Sequence, residues 1–126
     1  HALLSYSDVM INYFSTISLE AAICDLPVIH VGYDQYTYGH RYHMLSGFLQ
    51  RMTHNRRTLR LAAAMVATNE AELLRALERY LADRTLDREA RHEYALAECG
   101  YLDGQSSRRL AKFLRQKVLA SSRAVC

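Results

Sequence analysis

Two short apolar stretches on either side of a helix-length interval constrain this chain more than any other feature. The first is Asp8-Val9-Met10-Ile11-Asn12-Tyr13, and it ends at Ser15-Thr16, a pair that starts helices. Ile17 to Cys24 then favours a short helix through Ala21 and Ala22, and Asp25-Leu26-Pro27 closes it. Pro27-Val28-Ile29-His30-Val31-Gly32 is the second stretch, with proline at its first position, where no ladder donor is lost. A strand, a helix and a strand joined by tight connections build a parallel sheet. Both stretches are nearly continuously apolar, as strands are when helices cover both faces of a sheet.

The remainder extends this unit. Residues 33–57 show no clear period and gather tyrosines, histidines, Arg41, Gly39 and Gly47, the composition of a long functional segment. Ala62 to Ala67 fits a third strand. Asn69 with Glu72 forms a capping box ahead of a helix whose one face carries Leu73, Leu74, Leu77, Tyr80 and Leu81. Asp87–Glu98 fits another helix. Asp103-Gly104-Gln105-Ser106-Ser107 opens a last one, with Leu110, Phe113, Leu114 and Val118 opposite Arg108, Lys112 and Arg115. The expected fold class is α/β: a Rossmann-like parallel sheet of about three strands, near 8–13, 27–32 and 62–67, with flanking helices and a helical C-terminal third.

A chain of 126 residues holds one domain. It opens on His1 in mid-pattern, which suggests an excised piece or a tag remnant rather than a native start. No apolar run reaches the roughly 20 residues a membrane span needs. Cys24, Cys99 and Cys126 are odd in number and widely spaced, so neither a disulfide framework nor a zinc site is indicated, and a cytoplasmic setting is expected. Residues 1–50 carry one Arg against four acids, whereas residues 51–126 carry fifteen Lys and Arg against nine. A basic half can meet nucleic acid, anionic lipid or a phosphorylated ligand, although Arg-rich helices are more often solvated faces. Most of the aromatics lie in the acidic half rather than among the arginines, which argues against nucleic acid. The basic final helix leaves a peripheral membrane contact open.

The segment with the most chemistry is Asn12-Tyr13-Phe14-Ser15-Thr16-Ile17-Ser18-Leu19-Glu20-Ala21-Ala22. It runs from the carboxyl end of a parallel strand into a helix, where open α/β sheets bind ligands. Ser15, Thr16 and Ser18 offer hydroxyls to phosphate oxygens, and Glu20 lies one helical turn beyond Thr16. On pattern alone, an ordinary Ser/Thr cap with a surface glutamate fits as well. His40-Arg41-Tyr42-His43 offers two histidines three apart and His54 follows, but no acid cluster completes a metal site, so no metal is expected. Arg41, His43 and His54 suit a sugar or acceptor loop, or a tyrosine-rich loop packing on another domain.

Ser7-Asp8-Val9-Met10-Ile11-Asn12-Tyr13-Phe14-Ser15-Thr16, Leu19-Glu20-Ala21-Ala22 and Asp25-Leu26-Pro27-Val28-Ile29 resemble the C-terminal domain of two-domain nucleotide-sugar enzymes. These are the GT-B glycosyltransferases, the UDP-GlcNAc 2-epimerases and the CDP-glycerol glycerophosphotransferases. Thr53-His54, Asp87-Arg88-Glu89 and Asp103 to Arg109 with Phe113 resemble later motifs of the same group. The resemblance implies that Ser15 and Thr16 contact the donor diphosphate and Glu20 holds the ribose. The glycines frequent at that helix start are absent here.

Residues 1–126 are therefore expected to be a partial C-terminal domain, the donor-binding part of a glycosyltransferase using a nucleotide-diphosphate sugar and no cofactor. The alternatives are a CDP-glycerol-type glycerophosphotransferase, whose motif tends to lack the glutamate, and a non-catalytic interaction module. A dinucleotide-binding dehydrogenase is disfavoured, because no Gly-x-Gly-x-x-Gly follows a strand. Without an N-terminal partner domain the chain is expected to be inactive alone and to self-associate.

Overall fold

The computed structural model describes residues 2–33 and 50–123. The elements run α1 (Ala2–Tyr6), β1 (Met10–Asn12), α2 (Ile17–Ile23), β2 (Val28–Val31), α3 (Thr53–Arg60), β3 (Met65–Ala67), α4 (Glu70–Ala82), α5 (Arg88–Cys99) and α6 (Ser106–Arg123). The strands form one sheet in the order β1-β2-β3, parallel throughout. Met10 pairs with Val28 and Asn12 with His30, while Ile29 pairs with Met65. This is the expected Rossmann-like α/β architecture with a helical C-terminal third. The strands are shorter than the apolar stretches that announce them, since flanking residues such as Val9 pack on the core without pairing.

Alternation along the strands assigns the two faces. On one face, Val28 packs with Leu4, Ala21, Leu26 and Ala64. On the other, Ile29 packs with Ala67, Ala76 and Tyr80 beneath α4. A third cluster of Ala22, Ala63, Tyr94 and Ala95 joins α2 to α5, with alanine on both helices where they meet. Gly32 follows β2 where a Cβ would stand 2.7 Å from Val66 Cγ1 and 3.1 Å from the Ala67 carbonyl, so only glycine fits without displacement.

The ends of α4 and α5 show which local signals operate. Asn69 Oδ1 accepts the Glu72 N–H at 2.9 Å, as in a capping box. Glu72, however, reaches back to the backbone N–H and hydroxyl of Thr68, at 2.7 and 2.6 Å. Those bonds hold its carboxyl below the usual carboxylate range. Asp87 precedes α5 with φ 58° and accepts from the Tyr80 hydroxyl at 2.8 Å rather than capping the helix. Burial pushes the Tyr80 phenol well above its ordinary range.

Arg91 ties α5 to α2. It is fully buried, and its guanidinium donates to Asp25 Oδ1 at 2.8 and 3.2 Å, to the Arg84 carbonyl at 3.0 Å and to the Leu86 carbonyl. Arg88 reaches the other oxygen of Asp25 at 2.7 Å. Asp25 itself has φ 53°, a left-handed residue ending α2, so one acid serves as both helix stop and docking point. Among the described residues, no helix is long and apolar enough to cross a membrane.

Candidate functional site

The carboxyl ends of β1 and β2 place Asn12 and His30 side by side on the face covered by α2. His30 is completely buried. Its Nδ1 lies 2.6 Å from Asn12 Oδ1, and its ring stacks on Phe14 with centroids 4.4 Å apart and planes 6° from parallel. Burial lowers its pKa from 6.5 to about 4, so the ring is neutral at pH 7. Nε2 is buried too, and no partner meets it among the described residues. Asn12 Nδ2 donates to Ser18 Oγ at 2.8 Å, and Ser18 Oγ donates to the Ser15 carbonyl at 2.7 Å.

The turn between β1 and α2 is built on Phe14, which is buried with φ 53°. A left-handed conformation is costly for a bulky residue, which is why glycine is the usual occupant of such positions. Here the aromatic ring is seated on His30, and Asn55 Nδ2 of α3 donates to the Phe14 carbonyl at 3.3 Å. Ser15 and Thr16 then emerge exposed. The Thr16 side chain is exposed and makes no capping bond to the helix. The Ser18 and Leu19 N–H groups close the first turn on the Ser15 and Thr16 carbonyls, at 3.1 and 3.0 Å.

The sequence-predicted residues thus divide. Ser15, Thr16 and Glu20 are exposed at the start and first turn of α2. Ser18 is buried, and both its donor and an acceptor position are engaged inside the protein. At seven residues, α2 adds little through its dipole, and the exposed hydroxyls are what the turn offers an anion. Arg41 and His43 lie outside the described residues. His54 is the second residue of α3, and its side chain is outside the described set. No group of three or more His, Cys, Asp or Glu suited to a metal occurs among the described residues.

Sequence reasoning counted Asn12 in the segment without its link to His30, and missed His30 and Asn55 as parts of this site. A polar residue in or at the end of an apolar strand is a weak signal, but it occurs both at Asn12, which ends β1, and at His30, the penultimate residue of β2, and the register places the two together.

Residues 1–116 match the family model described as CDP-Glycerol:Poly(glycerophosphate) glycerophosphotransferase, a span that includes every element of the site. Comparisons with curated proteins and with solved structures give no match.

Proposed function

The chain belongs to the CDP-glycerol:poly(glycerophosphate) glycerophosphotransferase family, and from that premise we propose that it is the donor-binding part of a glycerophosphotransferase. The donor would be a cytidine diphosphate carrying glycerol, and the acceptor a hydroxyl of a poly(glycerophosphate) chain. The family match over 1–116 carries this reading and favours it over the sugar transfer that Glu20 suggested. The hydroxyl-lined turn at the carboxyl edge of a parallel sheet supports it, because that edge is where such folds hold nucleotides.

In this reaction the acceptor oxygen attacks the β-phosphorus of the donor. A new P–O bond forms, the bridging bond to CMP breaks, and the hydroxyl proton leaves to a base. Such transfer depends on positioning and charge stabilisation more than on covalent chemistry. In our reading Ser15 and Thr16 donate hydroxyl hydrogen bonds to diphosphate oxygens, Ser18 braces the turn from inside, and Glu20 accepts from the ribose hydroxyls. The whole enzyme would have the two-domain GT-B plan, with the acceptor side supplied by an N-terminal domain.

Calorimetric titration with CDP-glycerol, CDP, UDP and UDP-N-acetylglucosamine tests the reading. CDP-glycerol should bind at least tenfold more tightly than the UDP sugar. The reverse order would restore the nucleotide-sugar reading, and binding of neither would remove the turn from donor recognition.

A further inference from the structure

We infer that His30 is a positioning residue, which locks the Ser15–Thr16 turn through Asn12 and Ser18 in the form that receives the donor diphosphate. The inference rests on the donor-site reading above and adds to it a residue that touches no substrate.

The hydrogen bonds run in one direction. Asn12 Nδ2 is committed as a donor to Ser18 Oγ, so Asn12 Oδ1 must be the atom that accepts from His30. That requires the proton on Nδ1 and leaves Nε2 bare. Ser18 Oγ, having accepted from Asn12, turns its own hydrogen to the Ser15 carbonyl. Every atom between the ring and the turn therefore has a single role, and the chain ends on the backbone of Ser15.

The same ring grips the turn a second time. It stacks flat on Phe14, whose positive φ sets the bend, while Asn55 holds the Phe14 carbonyl from α3. Two successive residues of the turn, Phe14 and Ser15, are thus fixed from the sheet side by one histidine. Ser15 and Thr16 remain exposed on the other side.

Stability does not account for a histidine at this position. Position 30 is fully buried in the middle strand, where an apolar side chain would fill the space without a nitrogen that, among the described residues, meets no donor. A buried acceptor with no donor is costly, and natural structures carry few of them. What histidine adds over an apolar aromatic ring is the Nδ1–H that starts the chain. Its neutral state at pH 7 keeps a positive charge out of the core while that donor operates.

Three readouts on wild type, His30→Phe and Ser18→Ala test the lock. Phenylalanine keeps the ring on Phe14 and removes the donor, while Ser18→Ala cuts the chain at its far end with little change in volume. Amide exchange at Ser18 and Leu19, whose N–H groups close the turn, should rise at least tenfold in both variants in the free protein, with Ile29 and Val31 unchanged. Affinity for CDP-glycerol and for inorganic pyrophosphate should fall at least fivefold in each. The double variant should be no worse than either single one, since both cut one chain. Nitrogen NMR at pH 7 should show His30 protonated on Nδ1, and an Nε2–H tautomer would overturn the inference outright. Should His30→Phe fail to fold, Ser18→Ala and the tautomer decide between lock and no lock. Unchanged exchange in the variants also refutes the lock. If wild type binds neither ligand, exchange alone decides the lock and the donor-site reading fails. If wild type and variants bind alike, the donor site stands and the positioning role is lost.

Discussion

Lowering the pH should destabilise this protein through one buried side chain. His30 is depressed to about 4 by burial, against 6.5 in the unfolded chain. Between those values the unfolded state holds a proton that the folded state excludes. The folded state therefore keeps its full stability above pH 6.5 and loses it as pH falls towards 4. Each pH unit in that window costs up to about 1.4 kcal/mol, and the whole shift about 3 kcal/mol. That is a large share of the roughly 6–19 kcal/mol expected for a domain of this size. Asn12 and Phe14, which meet the ring by hydrogen bond and stacking, do not titrate and so do not contribute to the effect themselves. Asp83 and Asp103 are held below the usual range by hydrogen bonds from Thr85 and Arg109, as Glu72 is by Thr68, so their losses set in at lower pH. Urea unfolding followed by circular dichroism at pH 7.5, 6, 5 and 4.5 measures the slope. It should approach one proton in wild type and largely vanish in His30→Phe. Equal slopes in the two proteins would show that His30 is not a buried neutral group.

The two arginines on Asp25 should separate cleanly in urea unfolding. Arg91→Ala strands the Arg84 and Leu86 carbonyls and opens a void, costing about 3–5 kcal/mol, whereas the half-exposed Arg88→Ala costs less than about 1 kcal/mol. Gly32→Ala forces a methyl against Val66 and should cost about 1–3 kcal/mol by the same assay. In titrations with nucleoside diphosphates, Glu20→Ala should weaken binding by about 1–3 kcal/mol, and equal affinities would remove Glu20 from the site. Leu110, Phe113 and Leu114 of α6 are each more than half exposed, and β1 has a single neighbour in the described sheet. Light scattering on the 126-residue chain should therefore show self-association, and a clean monomer would refute the expectation.

What the sequence revealed followed from patterns with one dominant cause. The β1–α2–β2 unit was legible because apolar runs and a proline mark parallel strands irrespective of tertiary detail. The capping signal at Asn69 was legible because it is local. Helix α3 was hidden because its buried face is polar: Asn55 and Thr58 point inward while Arg56 and Arg60 face solvent, which inverts the usual apolar period. Buried Arg91 was equally hidden, since its partners Asp25, Arg84 and Leu86 come from separate parts of the chain.

The candidate site shows the same division in a sharper form. The hydroxyls of Ser15 and Thr16 were readable as a motif, but the absence of glycine suggested a looser approach to phosphate. The bend is in fact present, at Phe14, with the positive φ that glycine would adopt freely. A conformation of that kind costs about 1–3 kcal/mol in a non-glycine residue and persists only where its surroundings fix it. Here the surroundings are residues that are distant in sequence. His30 lies under the ring, and Asn55 holds the carbonyl. A glycine at position 14 would form the same bend, but it would give His30 no ring to stack on and would leave the turn freer to move. Phe14 and His30 thus depend on each other, and neither is interpretable in the sequence without its partner.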